Sequence, residues 1–287
     1  MNNKPRKKQS RLKETWRRLK KNRVAVVSLF VIIFVILVAL LAPLLSPYAP
    51  EKQNTERTLE GPSTEHLLGT DRLGRDVLSR LIWGSRQSLQ MGFTAVILAA
   101  LIGIIIGAIA GYYGGMTDNL VMRFLDIFQG IPMFLLTVTL AAVLGPSLRN
   151  AIIAIGIGMF PGNARFMRAC ILTVRETEYI EAAKCINAKD NRIIRKHVVP
   201  NAVTPMIVSI TMGLGGAVLS GAGLSFIGLG VQPPIAEWGG MISDARNYMR
   251  SNPQLALYPG VCIMITVLAF NLLGDGLRDA LDPRLKT

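Results

Sequence analysis

The chain has 287 residues, 51% of them hydrophobic and only 17% charged, with a formal net charge of +14. A soluble domain of this length carries about a quarter charged residues, so the composition excludes an ordinary soluble fold. The positive charge does not mark a nucleic-acid face, because eleven of the 32 Lys and Arg precede Val24 against one acid, Glu14, and no aromatic-interleaved basic domain accompanies them.

The chain reads as an all-α integral membrane protein. Residues 1–23 form a basic cytoplasmic segment in which Leu12, Trp16 and Leu19 recur at helical spacing. That pattern predicts an amphipathic helix lying on the membrane surface. The first span, about Val24–Leu45, holds 22 residues without a charge. As a helix it measures about 33 Å, enough to cross a bilayer and too long for a signal-peptide core. Residues 46–87 are expected to be an external loop, and residues 88–279 a core domain with five further spans. These are about Ser88–Tyr112, Leu120–Leu144, Leu148–Arg168, Ala202–Leu229 and Leu255–Leu273. Pro161-Gly162-Asn163 interrupts the fourth, which is the weakest.

Within these spans Gly103, Gly107 and Gly111 fall on one helix face, where a neighbouring helix can approach closely. Gly213, Gly215, Gly216, Gly221 and Gly223 leave the fifth span small on several faces, which suits either tight packing or a mobile wall. Asp126 is one of few charges inside a span. Arg123, three residues earlier, is its expected partner, as an interfacial ion pair rather than a proton site.

Loop charge sets the orientation. Residues 46–86 hold six basic and six acidic residues, whereas residues 165–197 hold eight and four. By the positive-inside rule the second loop is cytoplasmic. Six crossings then place both termini, including the tail 280–287, in the cytoplasm. The outer segment 69–80 alternates charges and is expected to be structured by internal Arg–Asp pairing. The loop 230–254, with Pro233-Pro234, Trp238 and Tyr248, reads as a re-entrant or lid-like element.

The inner loop, residues 176–198, is the most informative stretch. Two short helices are expected between Thr177 and His197. Thr177 is placed to cap the first, with Glu178 and Glu181 in its early turns, where acids suit the helix dipole. Ala182 and Ala183 present a nearly bare backbone. Asn187 ends the helix in a left-handed conformation, which Asn tolerates second only to Gly. Asp190 is expected to cap the second helix. Cys170, Cys185 and Cys262 are isolated and odd in number, which excludes a disulfide framework. His66 and His197 stand far apart, and no metal site is expected.

The run Glu181-Ala182-Ala183, followed at fixed spacing by Pro200, resembles the "EAA" loop of ATP-binding cassette (ABC) importer permeases. Asn187 stands at that pattern's Gly, His197 at its Ile and Val199 at its Leu. Four further stretches resemble the dipeptide, oligopeptide and nickel permeases in the right order. They are Gly69–Arg80, Lys196–Asn201, Leu224–Pro234 with Trp238-Gly239, and Asn271–Pro283. The chain is thereby similar to the "C"-type permease of that branch. The resemblance implies a type I importer-like fold of six transmembrane helices with a cytoplasmic coupling helix. It implies that Glu181, Ala182, Ala183, Ile186 and Asn187 dock on an ATPase.

The implied partners are a homologous "B"-type permease, two ATPase subunits, an extracytoplasmic substrate-binding protein and membrane lipid, with no nucleic acid. ATP and Mg would be held by the partner subunits, with no cofactor in this chain. The implied location is the bacterial plasma membrane, multi-pass, and the implied cargo is peptide, with nickel or a metal chelate as the alternative. No G-x-x-x-x-G-K-[ST] run occurs, so this chain is not expected to hydrolyse ATP. An ion-coupled transporter would show internal repeats and mid-span ionisable groups, and an intramembrane enzyme would show nucleophile–base or metal pairs. Neither pattern is evident, and no substrate-binding or catalytic residue is assigned.

Overall fold

A computed structural model describes residues 11–281, with side chains from residue 14. The first and last tail residues, including Asp282-Pro283 and most of the expected C-terminal tail, lie outside the described residues. Every regular element in the described residues is helical, with no β-strand.

The amphipathic α1 (Arg11–Leu19) leads into α2 (Arg23–Leu40), whose start is capped by Asn22 Oδ1 accepting from the Ala25 amide at 3.1 Å. Leu41 interrupts the expected first span, and Pro43 sits at the start of a single further turn, α3 (Ala42–Leu45). The second expected span is longer than its apolar run. Asp76 accepts from the Ser79 amide at 2.7 Å and starts α4 (Val77–Tyr113) eleven residues before Ser88.

The third expected span is broken. α5 (Gly115–Gln129) and α6 (Met133–Leu144) meet at 80° across Gly130-Ile131-Pro132. Pro132 has no amide hydrogen and disfavours helix in the residue before it. Conversely, the fourth is continuous, since α7 (Leu148–Arg175) runs through Pro161. After the short helices α8 (Glu178–Cys185) and α9 (Asp190–Ile193), a π-helical stretch at Ile194–Val198 continues into α10 (Val199–Phe226). α11 (Trp238–Ala245) and α12 (Gln254–Leu281) complete the fold.

Among the described residues, four helices are long and apolar enough to cross a membrane: α2, α4, the continuous rod Asp190–Phe226, and α12. The bent pair α5–α6 makes five. α7 has the length, but Arg149, Asn163, Arg165 and Arg168 dilute its apolar character. The expected count of six is therefore not reproduced on this measure.

Close packing centres on α4 and α7. A Cβ on Gly103 would meet Ala164 N at 2.9 Å, one on Gly107 would meet Met167 Cβ at 2.8 Å, and one on Gly111 would meet Ile171 Cβ at 2.9 Å. The glycine face therefore seats a helix, as its spacing implies. Tight packing accounts for some of the glycines of α10 and not for others. Gly221 is filled by Met91 and Gly215 lies against Val267, whereas Gly216 faces open space. Gly107→Leu should lower the chain's stability by about 1–3 kcal/mol, because backbone rather than a flexible side chain blocks the new group. Thermal unfolding in detergent would show the loss; an unchanged midpoint would mean that α4 and α7 separate freely.

Candidate functional site

The loop after α7 is held by the adjacent ends of two long helices. A helix end leaves carbonyls without partners, and at the end of α4 Arg175 supplies the missing donor. Its Nη1 donates to Gly111 O at 3.1 Å and Tyr112 O at 3.2 Å. Tyr112 in turn donates its hydroxyl to Asp190 Oδ1 at 2.7 Å, and Lys184 Nζ stands 5.8 Å from the centre of the same ring. Beneath these contacts Ile180, Ile193 and Val198 are fully buried with Met167 and Ile171 of α7 and Met206 of α10. The loop is thus packed as part of the helical body.

This anchoring decides which side of α8 is available. Ile180 and Ala183 turn toward the body, where Ala183 is half-buried against the apolar cluster. Tyr179, Ala182 and Ile186 lie three and four residues apart on the outer side, with Ile186 80% exposed and Tyr179 46%. Asn187 follows with φ +55°, a left-handed residue that turns the chain toward α9. Tyr179, Ala182, Ile186, Asn187 and Arg192, together with the open side of Ala183, then line an open groove. Its floor is apolar and its rim basic. Glu181 is exposed beside it.

Three expectations for this region need correction. Thr177 occupies the cap position of α8, but its hydroxyl donates to Val174 O at 2.6 Å and accepts nothing from α8. Asp190 is the first residue of α9 rather than its cap, and its carboxylate is taken by Tyr112. Asp126 pairs with Arg165 of α7, not with Arg123. A parallel pair joins Asp118 to Arg168, so both ion pairs tie α5 across to α7. Sequence spacing suggested only the neighbour on the same helix.

The opposite end of the molecule carries a second constellation. The expected Arg–Asp pairing in residues 69–80 is present, and it extends to a residue 169 positions away. Arg75, 1% exposed, donates from Nε to Asp71 Oδ2 at 2.6 Å and from Nη2 to Asp244 Oδ2 at 3.1 Å. Arg72 reaches Asp244 Oδ1 at 3.0 Å, and Arg80 Nε lies 3.4 Å from Asp71 Oδ2. Glu237, also 1% exposed, caps α11 by accepting from the Gly239 amide at 3.0 Å and the Gly240 amide at 2.8 Å. It also accepts from Ser88 Oγ of α4 at 2.8 Å. Trp238 is buried and donates Nε1–H to Leu81 O at 3.0 Å. The element expected to be lid-like is therefore fastened to α4.

Glu237 carried no local motif beyond a carboxylate just before a helix, and Asp244, in the last turn of α11, carried none. On the exposed rim, the hydrogen bond from Arg57, reinforced by its charge, holds the Glu65 carboxyl below the ordinary carboxylate range. A pair this exposed contributes little to stability. Among the described residues, no three His, Cys, Asp or Glu side chains are grouped to hold a metal ion.

Residues 103–287 match the family described as the binding-protein-dependent transport system inner membrane component. Residues 10–62 match the N-terminal transmembrane domain of oligopeptide transport permease C. The chain is 46% identical over 275 residues to a dipeptide transport system permease protein DppC of Alkalihalophilus pseudofirmus, covering 96% of this chain and 90% of the relative. It is 41% identical over 276 residues to a glutathione transport system permease protein GsiD of Pectobacterium atrosepticum, covering 96% and 92%. Its fold is similar to that of a chain in an inward-facing structure of the MetNI methionine ABC transporter. There the TM-score is 0.58 and the identity 23%, with 71% of this chain and 97% of that chain covered.

Proposed function

This chain belongs to the binding-protein-dependent transport system inner membrane components, as a C-type permease of the dipeptide/oligopeptide branch, and from that premise we propose that it imports peptides. It is a transport permease subunit of an ABC importer. The relatives named for dipeptide and glutathione transport support a peptide cargo over nickel or a metal chelate. In this reading an extracytoplasmic binding protein delivers the peptide, and the chain forms half of the pathway with a homologous B-type permease. Two ATPase subunits, holding ATP and Mg, dock at the groove of α8.

The observation that carries the docking assignment is the outer face of Tyr179, Ala182 and Ile186. It is an apolar, solvent-facing strip on a helix whose other side is locked to α4 and α7. Apolar side chains held this far into water on a rigid element mark a surface that a partner covers. Because Arg175, Tyr112 and Ile180 join the loop to helix ends, a displacement of the loop moves α4 and α7 with it. Rocking of packed helices is thereby coupled to the ATPase.

The test is uptake in reconstituted vesicles containing the full complex. ATP-dependent accumulation of a dipeptide is expected, with none when this chain is reconstituted alone. Mass spectrometry of the co-purified binding protein should identify a peptide ligand; a metal chelate there would transfer the assignment to the metal branch.

The orientation is part of the same proposal. With α7 taken as the sixth crossing, both termini and α8 lie in the cytoplasm, and residues 46–76 and α11 lie outside, as the Lys and Arg asymmetry of the loops supports. In intact cells, and in a background without Cys170, Cys185 and Cys262, a cysteine at Glu60 should react with an impermeant thiol reagent while one at Lys189 stays unlabelled. The reverse pattern would invert the topology.

A further inference from the structure

We propose that the groove between α1 and the end of α12 is a binding site for the headgroup of an anionic phospholipid. Arg17, Arg18, Lys21 and Asn22 form one wall of this groove, and Gly276 and Asp279 lie on the other. The two walls meet closely because residue 276 is a glycine: a Cβ there would collide with Ala25 and lie 3.4 Å from Leu19. Leu19 and Ala25 are buried in that contact, so the basic residues are carried on a packed corner of the fold.

Charge and depth specify the ligand. Over residues 14–23 five cations stand against one acid, Glu14, which accepts from Arg18 at 2.7 Å. Asp279 offsets part of this charge from the α12 wall. Arg17 and Lys21, four residues apart, are both exposed. Asn22 lines the groove and also caps α2, so the apolar span begins at the groove itself. Basic residues at that level lie in the headgroup layer, where each favours an anionic lipid.

The span supplies the acyl-chain track. Val24, Val27, Phe30 and Phe34 recur on one face of α2 and are 54%, 61%, 67% and 66% exposed. A phosphate in the basic groove with chains along this face satisfies both ends of one lipid. A free anion would use only the first. The exposed Trp16, with Lys20 Nζ 5.2 Å from its ring centre, directly precedes Arg17 in the chain and suits an interfacial anchor.

The test uses the full chain in detergent micelles, titrated with phosphatidylglycerol or phosphatidylcholine and read by native mass spectrometry. Phosphatidylglycerol should be retained preferentially. The double substitution Arg17→Gln and Lys21→Gln should weaken that retention roughly 10- to 30-fold, while Arg250→Gln, distant on the loop after α11, should not. Thermal unfolding in phosphatidylcholine should be the same for all three proteins, which separates lost binding from lost folding. Equal retention of the two lipids, or full retention by the double variant, overturns the proposal. So does displacement of phosphatidylglycerol by millimolar inorganic phosphate, since the site would then be one for a free anion.

Discussion

Ile186→Asp should give a stably inserted permease that retains its ATPase subunits roughly 10- to 150-fold less well. Burial of an isoleucine side chain contributes about 1.5–3 kcal/mol, and each 1.4 kcal/mol is tenfold in affinity. Ile186 is 80% exposed in the chain alone, so its side chain contributes almost nothing to the permease's own packing. Surface substitutions of that kind usually stay within about 0.5 kcal/mol of neutral. The loss should therefore fall on the partner contact.

Ala182→Trp on the same outer face should act alike by overfilling the groove. Ala183→Trp is a poorer probe, because Ala183 is half-buried against the cluster of Ile180 and Tyr112 and a large side chain there disturbs the loop's own seat. Asn187→Gly should be benign, since at φ +55° glycine is the more permissive residue. The measurements are pull-down of the ATPases and substrate-stimulated ATP hydrolysis in the reconstituted complex. Normal values of both for Ile186→Asp would remove α8 as the docking site.

The second large effect is expected at the end of the molecule that carries α11. Arg75→Met should destabilise the chain by about 3–5 kcal/mol, the range for removing one partner of a buried ion pair. The guanidinium is almost wholly buried between Asp71 and Asp244. Its loss leaves both carboxylates short of a donor, although Arg80 still approaches Asp71 and Arg72 still reaches Asp244. Arg75→Lys should fall between, because an ammonium is a point charge and cannot span two carboxylates with a planar fork. Arg72→Ala should cost about 1 kcal/mol or less, since its side chain is 41% exposed.

Thermal unfolding gives the ranking. Hydrogen exchange over residues 238–245 should show α11 loosening selectively in Arg75→Met, because Asp244 holds that helix to the residues before α4. A melt like that of the unsubstituted chain, with α11 still protected, would show that Trp238 and Glu237 secure the helix without the ion-pair network.

Much of this architecture was legible from local rules. An uncharged run must hide its backbone polar groups from lipid, and a helix does so within the segment. That is why α2, α4, α10 and α12 follow their apolar stretches, with α4 extended only because Asp76 caps it earlier. The 103–107–111 glycine face and the left-handed Asn187 were legible for the same reason, each being a property of one short segment. The break at Gly130–Pro132 also had a local signal, in the missing amide of Pro132, but the apolar residues on either side of it masked the bend.

By itself, the sequence determined that the chain is helical and membrane-embedded and which segments supply the long helices. Those properties follow from hydrophobic run length, helical period and backbone preference, all carried by neighbouring residues. Only the tertiary structure decided that Asp126 meets Arg165 and that Arg75 meets Asp244. It also decided that Ile180 is buried against the body while Ile186 faces out. Charge partners and buried faces are selected by which helices pack together, and the free energy of that packing is shared among residues far apart in the chain.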